Sequence, residues 1–123
     1  MGSTCRVISE AAPQFLEAAT DHLRSLELLW SRFLPDSDTS RLNSAGGIPI
    51  EVSQETIELL RVSALAWQTT NGAFDPTLLP ALTTLGYARS RTNPQQITEL
   101  PDHVRPGGDP SLIRVDGCRV QFP

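Results

Sequence analysis

The sequence predicts an α/β chain, layered in the α+β manner, in which long amphipathic helices pack on a small sheet. Three observations predict it. An apolar stripe of helical period runs from about Ala12 to Phe33, and a second follows Ser53. Two short β-branched runs, LIRV and RVQF, flank Asp116-Gly117 near the C-terminus.

Taken in order, Thr4 to Ser9 alternates polar and apolar residues with β-branched members, the pattern of a half-buried first strand. Leu16, Ala19, Leu23, Leu26, Trp30 and Phe33 then recur at steps of three or four, a single stripe along a helix of about six turns. Pro35 stops that helix and opens PDSDTSRLNSAGGIP, whose Asp, Ser, Asn and Gly residues predict a structured surface loop. Ser53 predicts the cap of a second helix, with Glu55 in its first turn and Ile57, Leu60, Ala64 and Trp67 on one face. Asn71 and Gly72 end it, because Gly accepts the left-handed conformation that closes many helices. Asp75-Pro76 reads as the cap and first position of a short helix holding Leu78, Leu79, Leu82 and Leu85. Gly86 to Asp109 lacks periodicity and predicts a long loop, and Ser111 to Phe122 predicts a hairpin turning at Asp116-Gly117.

With 123 residues and 39% hydrophobic content the chain closes one core, not two. A net charge of -4 with scattered signs excludes general attraction to nucleic acid or anionic lipid, which need clustered Lys and Arg. No apolar run reaches the roughly 20 residues of a membrane span. The N-terminus MGSTCRVISEAAPQF carries no basic segment with an apolar core behind it, so the chain as written is expected in the cytoplasm. A leader or lipid-anchor segment ahead of Met1 would instead make it an exported protein. Cys5 and Cys118 lack the close spacing of a metal or redox motif and are expected as buried small residues, not a disulfide. His22 and His103 have no partner at zinc-ligand spacing and are expected at the surface or in loops. Gly46-Gly47 and Gly107-Gly108 lack the lysine and helix of a phosphate loop, and no serine or cysteine stands in a nucleophile setting.

Two segments combine an aromatic, a carboxylate and a helix end: WSRFLPDSDTSRLN from Trp30 to Asn43, and NGAFDPTLLP from Asn71 to Pro80. Two readings stay open. In one, Asp75 caps a helix, Phe74 belongs to the core and Arg41 pairs at the surface with Asp36 or Asp38. In the other, a helix start beside a flat aromatic receives a dinucleotide with phosphates and stacking rings.

At these segments the sequence resembles the ApbE family, flavin transferases that move the FMN moiety of FAD onto a Ser or Thr of a target protein. Met1-Gly2-Ser3-Thr4 is similar to the family's opening M-G-T, and Ser31 to Asn43 to its S-x-Y/F-x-x-D-S-x-x-S-R-x-N stretch. Glu51, Val52 and Ser53 open the following helix as in many members, and Thr70 to Thr77 resembles T-x-G-A-F-D-x-T, with Pro80 and Gly86-Tyr87 trailing.

The resemblance implies an ApbE-like fold of which residues 1–123 are the N-terminal portion of a single domain, its other half lying beyond Pro123. It implies that Met1, Phe33, Ala73, Phe74 and Asp75 bind FAD, with Phe33 standing where many members have Tyr. Catalytic residues and magnesium ligands are expected beyond residue 123, since no D-x-G-G-x-x-K-G segment occurs before it. The implied activity is Mg2+-dependent transfer of FMN from FAD to a target such as a redox-complex subunit, with release of AMP. This chain alone is expected to be inactive. The alternatives are a catalytically inactive flavin-binding fragment and a Mg2+-dependent FAD pyrophosphatase.

Overall fold

The computed structural model describes residues 5–10, 12–104 and 108–123, so Met1 lies outside the described residues. The first element is helix α1, Pro13–Trp30, with Pro13 at its start where a missing N–H costs nothing. The predicted stripe Leu16, Ala19, Leu23, Leu26 and Trp30 is half-buried throughout, and no residue of α1 is fully buried. The helix stops short of Phe33 because Ser31 turns extended, with ψ 117°, while its carbonyl accepts the Ser37 hydroxyl at 2.6 Å.

The predicted surface loop contains a helix, α2, Asp38–Ser44. Ser37 caps it by accepting the Ser40 N–H at 3.1 Å, and Asp38 stands in its first turn, where a negative charge suits the helix dipole. Strand β1, Ile50–Glu51, leads into α3, Gln54–Thr69. Ser53 caps α3 as predicted, accepting the Thr56 N–H at 3.2 Å. Ile57 is buried and Leu60, Ala64 and Trp67 are half-buried along its inner face. Asn71 at φ 51° and Gly72 at φ 82° end the helix, with the Gly72 N–H donating to the Trp67 carbonyl at 2.9 Å.

A short helix α4 covers Leu79–Leu82 and passes into a single π-type turn, Thr83–Tyr87, which contains Gly86 at φ 96°. Asp75 does not cap α4, whose start carries no side-chain cap; its carboxylate bonds Thr77 instead. Leu82 and Leu85 remain exposed at 42% and 73%, so the predicted leucine stripe buries little. Residues 88–104 follow as loop structure pinned by a bridge between Arg89 and Ile97, and a turn at Pro110–Leu112 precedes the hairpin.

Strands β2, Arg114–Asp116, and β3, Arg119–Gln121, complete an antiparallel sheet in the order β1-β3-β2. Val120 faces both Ile50 and Val115 in the register. The third strand is therefore Ile50–Glu51 and not the predicted Thr4–Ser9, of which Cys5–Ser9 is described and Thr4 lies outside the described residues. Both sides of β3 are taken, and Cys5–Ser9 is exposed and forms no strand of the sheet, with Cys5 and Val7 lying along Leu16 and Leu23 of α1. The hairpin turns one residue later than predicted, at Gly117-Cys118, closed by the Asp116–Arg119 pair. Gly117 at φ 57° is its left-handed residue, the pattern of a II′ turn with Gly at the first central position. Cys118 and Cys5 are free, as expected, but exposed rather than buried, because one sits on the hairpin turn and the other on the segment ahead of α1. His22 and His103 are exposed, as predicted.

Leu42 of α2, Val52, Ile57 of α3 and Val120 of β3 form the buried core, with Ile50, Leu60, Ile113 and Phe122 packed around it. α1 lies against α2 and α3. Among the described residues no helix is long and apolar enough to cross a membrane. Ile57 is 1% exposed and Leu28 is 64% exposed. Ile57→Ala is therefore expected to cost about 3 kcal/mol, whereas Leu28→Ala should stay within about 0.5 kcal/mol. Urea unfolding midpoints of the two variants check the difference.

Candidate functional site

The first motif segment is held by a buried carboxylate. Asp38 Oδ2 accepts the Ser53 N–H at 2.9 Å, the Ser53 hydroxyl at 2.7 Å and the Thr56 hydroxyl at 2.8 Å. Its Oδ1 accepts from Arg41 Nη1 at 3.0 Å, while Arg41 Nη2 donates to the Glu51 carbonyl at 2.9 Å. Trp30 Nε1 donates to Thr56 Oγ1 at 3.1 Å, which brings α1 into the same network. Arg41 thus pairs with one of its two expected partners, from an exposed position of its own, while the Asp38 end of the pair is buried at 4% exposure. Burial pushes the Asp38 carboxyl up. The Ser53 and Thr56 hydrogen bonds and the Arg41 charge outweigh that and hold it below its ordinary value.

Phe33 is half-buried in the turn after α1. The guanidinium of Arg32 covers one face of its ring at 4.4 Å. Arg32 also donates to Thr98 Oγ1 at 3.1 Å and to the Tyr87 carbonyl, so the ring and its cation are fastened to the loop after α4.

The second motif segment is a chain of local turns. Thr70 Oγ1 accepts the Phe74 N–H at 2.9 Å, and Ala73 and Phe74 are exposed, Phe74 at 45%. Asp75 is half-buried, and its Oδ1 accepts both the N–H and the hydroxyl of Thr77, at 2.8 and 2.6 Å. Ala73, Phe74 and Asp75 therefore stand together on one turn. Among the described residues no hydrogen bond or ring contact joins them to Phe33, and Met1 lies outside those residues.

Beside this turn a cleft of about 490 Å3 runs between α3, α4 and the hairpin approach, with Leu42, Leu60, Leu79 and Phe122 among its apolar walls. Asn43, Ser63, Thr77, His103 and Asp109 supply polar groups. Asp109 is held below its ordinary pKa by the hydroxyl and N–H of Ser111. Of the sequence-predicted site residues that are described, Phe33, Ala73, Phe74 and Asp75, none lines this cleft, but Asn43 and Thr77, the last residues of the two motif stretches, both do. Sequence reasoning missed Asp38, Asn43 and Thr77 as site-building residues. The signal was present as the polar positions inside the two quoted stretches and as the Ser53 cap followed by Thr56. Among the described residues no group of three or more His, Cys, Asp or Glu could hold a metal ion.

The ApbE family model matches residues 1–116 of the chain. Among solved structures the chain is similar to the Pseudomonas stutzeri flavinyl transferase ApbE in its apo form, with a TM-score of 0.68 and 25% sequence identity. The match covers 94% of this chain and 38% of that one, so the chain spans well under half of that transferase. No curated protein matches.

Removing the buried carboxylate leaves Arg41 and the Ser53 and Thr56 donors without their acceptor. Asp38→Ala is therefore expected to cost about 3 kcal/mol in chemical denaturation. The pH dependence has a definite sign. The folded-state pKa lies below the ordinary 3.8, so the carboxylate's contribution is complete above that value and is lost as pH falls through the folded one. Unfolding midpoints measured down this acid range should fall more steeply for the wild type than for Asp38→Asn. Equal slopes would assign the acid loss to other carboxylates.

Proposed function

The chain belongs to the ApbE family, and on that premise we propose that it supplies flavin-binding residues of an FAD:protein FMN transferase. Residues 1–123 are then the N-terminal portion of a single flavin-transferase domain, in keeping with a match that covers 94% of this chain and 38% of its structural neighbour. The observation that carries the reading is the family match, which runs through both motif segments, 31–43 and 70–77.

In the proposed reaction the hydroxyl oxygen of an acceptor Ser or Thr bonds to the FMN phosphorus of FAD. The hydroxyl proton passes to solvent, and the pyrophosphate P–O bond breaks with its electron pair leaving on AMP. Magnesium, when bound, neutralises charge on the phosphates. The described residues offer no cluster that fits it, so this chain's part is to bind and orient. Met1, Phe33, Ala73, Phe74 and Asp75 are the proposed FAD contacts. Phe33 offers a ring face for stacking but no hydroxyl, a difference from Tyr of about 1 kcal/mol where that hydroxyl would bond. The acceptor is a protein carrying a D-x-x-S/T-x-T segment, such as a redox-complex subunit, and the cytoplasm is the proposed location unless a leader precedes Met1.

The lack of a metal cluster among the described residues favours a second reading, flavin binding without turnover. One experiment separates the possibilities. The protein is mixed with FAD, Mg2+ and an acceptor bearing the motif, and acceptor mass, AMP and bound flavin are measured. Transfer predicts an acceptor heavier by one FMN phosphoryl group, with AMP in equal amount. FMN and AMP without acceptor gain would mean FAD hydrolysis, and bound FAD without products would leave flavin binding alone. A protein that does not bind FAD would end the flavin reading altogether. Asp75→Ala is expected to weaken FAD binding roughly tenfold while leaving the helical circular dichroism unchanged, since Asp75 caps no helix.

A further inference from the structure

The Asp75 carboxylate is bound on one oxygen only. Its Oδ1 receives the Thr77 N–H at 2.8 Å and the Thr77 hydroxyl at 2.6 Å, while Oδ2 meets no donor among the described residues. Two donors from one residue on the same oxygen fix the side-chain rotation of Asp75, and with it the place of the second oxygen. Thr77 is itself confined. Its Oγ1 lies 3.3 Å from the Gly108 carbonyl, and a Cβ built on Gly108 would stand 3.6 Å from its methyl group. A β-branched side chain in that position has little χ1 freedom. The hydroxyl has one proton, and the shorter contact to a charged acceptor claims it.

We infer that Thr77 is a positioning residue for Asp75: its N–H and hydroxyl hold Oδ1, so that Oδ2 is presented as an open acceptor to the bound nucleotide. This inference rests on the flavin reading of the site. The chemistry of Oδ2 narrows which part of the nucleotide it meets. An ionised carboxylate repels a phosphate and takes an O–H or N–H donor, so it faces a ribityl or ribose hydroxyl or a ring N–H, and the pyrophosphate lies elsewhere.

FAD itself is the probe, titrated by quenching of its fluorescence into the wild type, Thr77→Val, Thr77→Ser, Asp75→Ala and the Asp75→Ala/Thr77→Val double variant. Thr77→Val is expected to weaken FAD binding roughly tenfold. Thr77→Ser, which keeps the hydroxyl and loses the methyl, should restore affinity to within roughly twofold of the wild type. In the Asp75→Ala background Thr77→Val should cost nothing further, because its effect passes through the carboxylate. Should Thr77→Val fail to fold, Thr77→Ala removes the same hydroxyl without adding bulk.

Wild-type affinity in the hydroxyl-less variant overturns the inference and leaves the flavin reading standing. So does a serine variant as weak as the valine one, which would place the effect in methyl packing, or a further loss in the double variant. A wild type that does not bind FAD removes the flavin reading and this inference with it.

Discussion

The Asp38 carboxylate is the point on which the described structure turns. It sits in the first turn of α2, takes two donors from Ser53 at the start of α3 and one from Thr56 a turn later, and binds Arg41, whose other nitrogen holds the end of β1. Through Thr56 it also reaches Trp30 at the end of α1. One buried anion thus joins three helices and an edge strand. The hydrophobic core beside it is small: among the described residues four apolar ones are buried, all from α2, β1–α3 and β3. A core of that size gives cohesion without direction, because apolar contact is indifferent to small rotations of its partners. The hydrogen-bonded carboxylate supplies the direction. Its donors have defined geometry, and an unmade bond at a buried charge is expensive.

That dependence explains the segment after Pro35. Its composition predicts a loop, and local side-chain bonding does dominate there, as the Ser37 contacts with Ser31 and Ser40 show. The same bonds end α1 early and nucleate α2, because a serine that receives the N–H three residues on is a helix cap as well as a turn former. What tips the balance is tertiary. Asp38 can meet Ser53 and Thr56 only if the residues following Ser37 coil, and Leu42 then reaches the core on the same turn of chain. A window confined to the loop contains neither Ser53 nor Thr56.

The same division between local and distant causes decides what was legible in the sequence. Helix α3 was legible in full: the Ser53 cap, the apolar face from Ile57 to Trp67 and the Asn71-Gly72 ending all depend on neighbours within a turn or two. The hairpin was legible to within one residue, the shift arising because a Gly in the first loop position satisfies a II′ turn as well as Asp116-Gly117 would satisfy a I′ one. The third strand was not legible. Thr4 to Ser9 has the better alternation, but a strand exists by pairing, and the two-residue Ile50–Glu51 segment is the one the Asp38 and Arg41 contacts carry to the edge of β3. The family was legible because its motifs are contiguous stretches. The cleft they border was not, because Asn43 and Thr77 come together only after α3 has returned the chain.

Two carboxylates with similar sequence settings, each followed closely by a hydroxyl residue and lying near a helix start, end in opposite conditions. Asp38 is buried, has donors on both oxygens and is held ionised by them, so nothing remains for a ligand and its role is structural. Asp75 is half-buried, has both donors on one oxygen and caps no helix. Capping would have accounted for its position beside Pro76 without any ligand. With the helix starting only at Leu79, that account loses its object, and what is left is a carboxylate held by Thr77 on one oxygen, with no donor on the other among the described residues, next to the cleft-lining Pro76 and Thr77. An acceptor in that condition keeps its hydration until a donor replaces the water, so it adds affinity only for a partner that brings an O–H or N–H to the same place. The difference between a carboxylate that builds the fold and one left with an acceptor to offer is therefore how many of its oxygens the chain has already occupied.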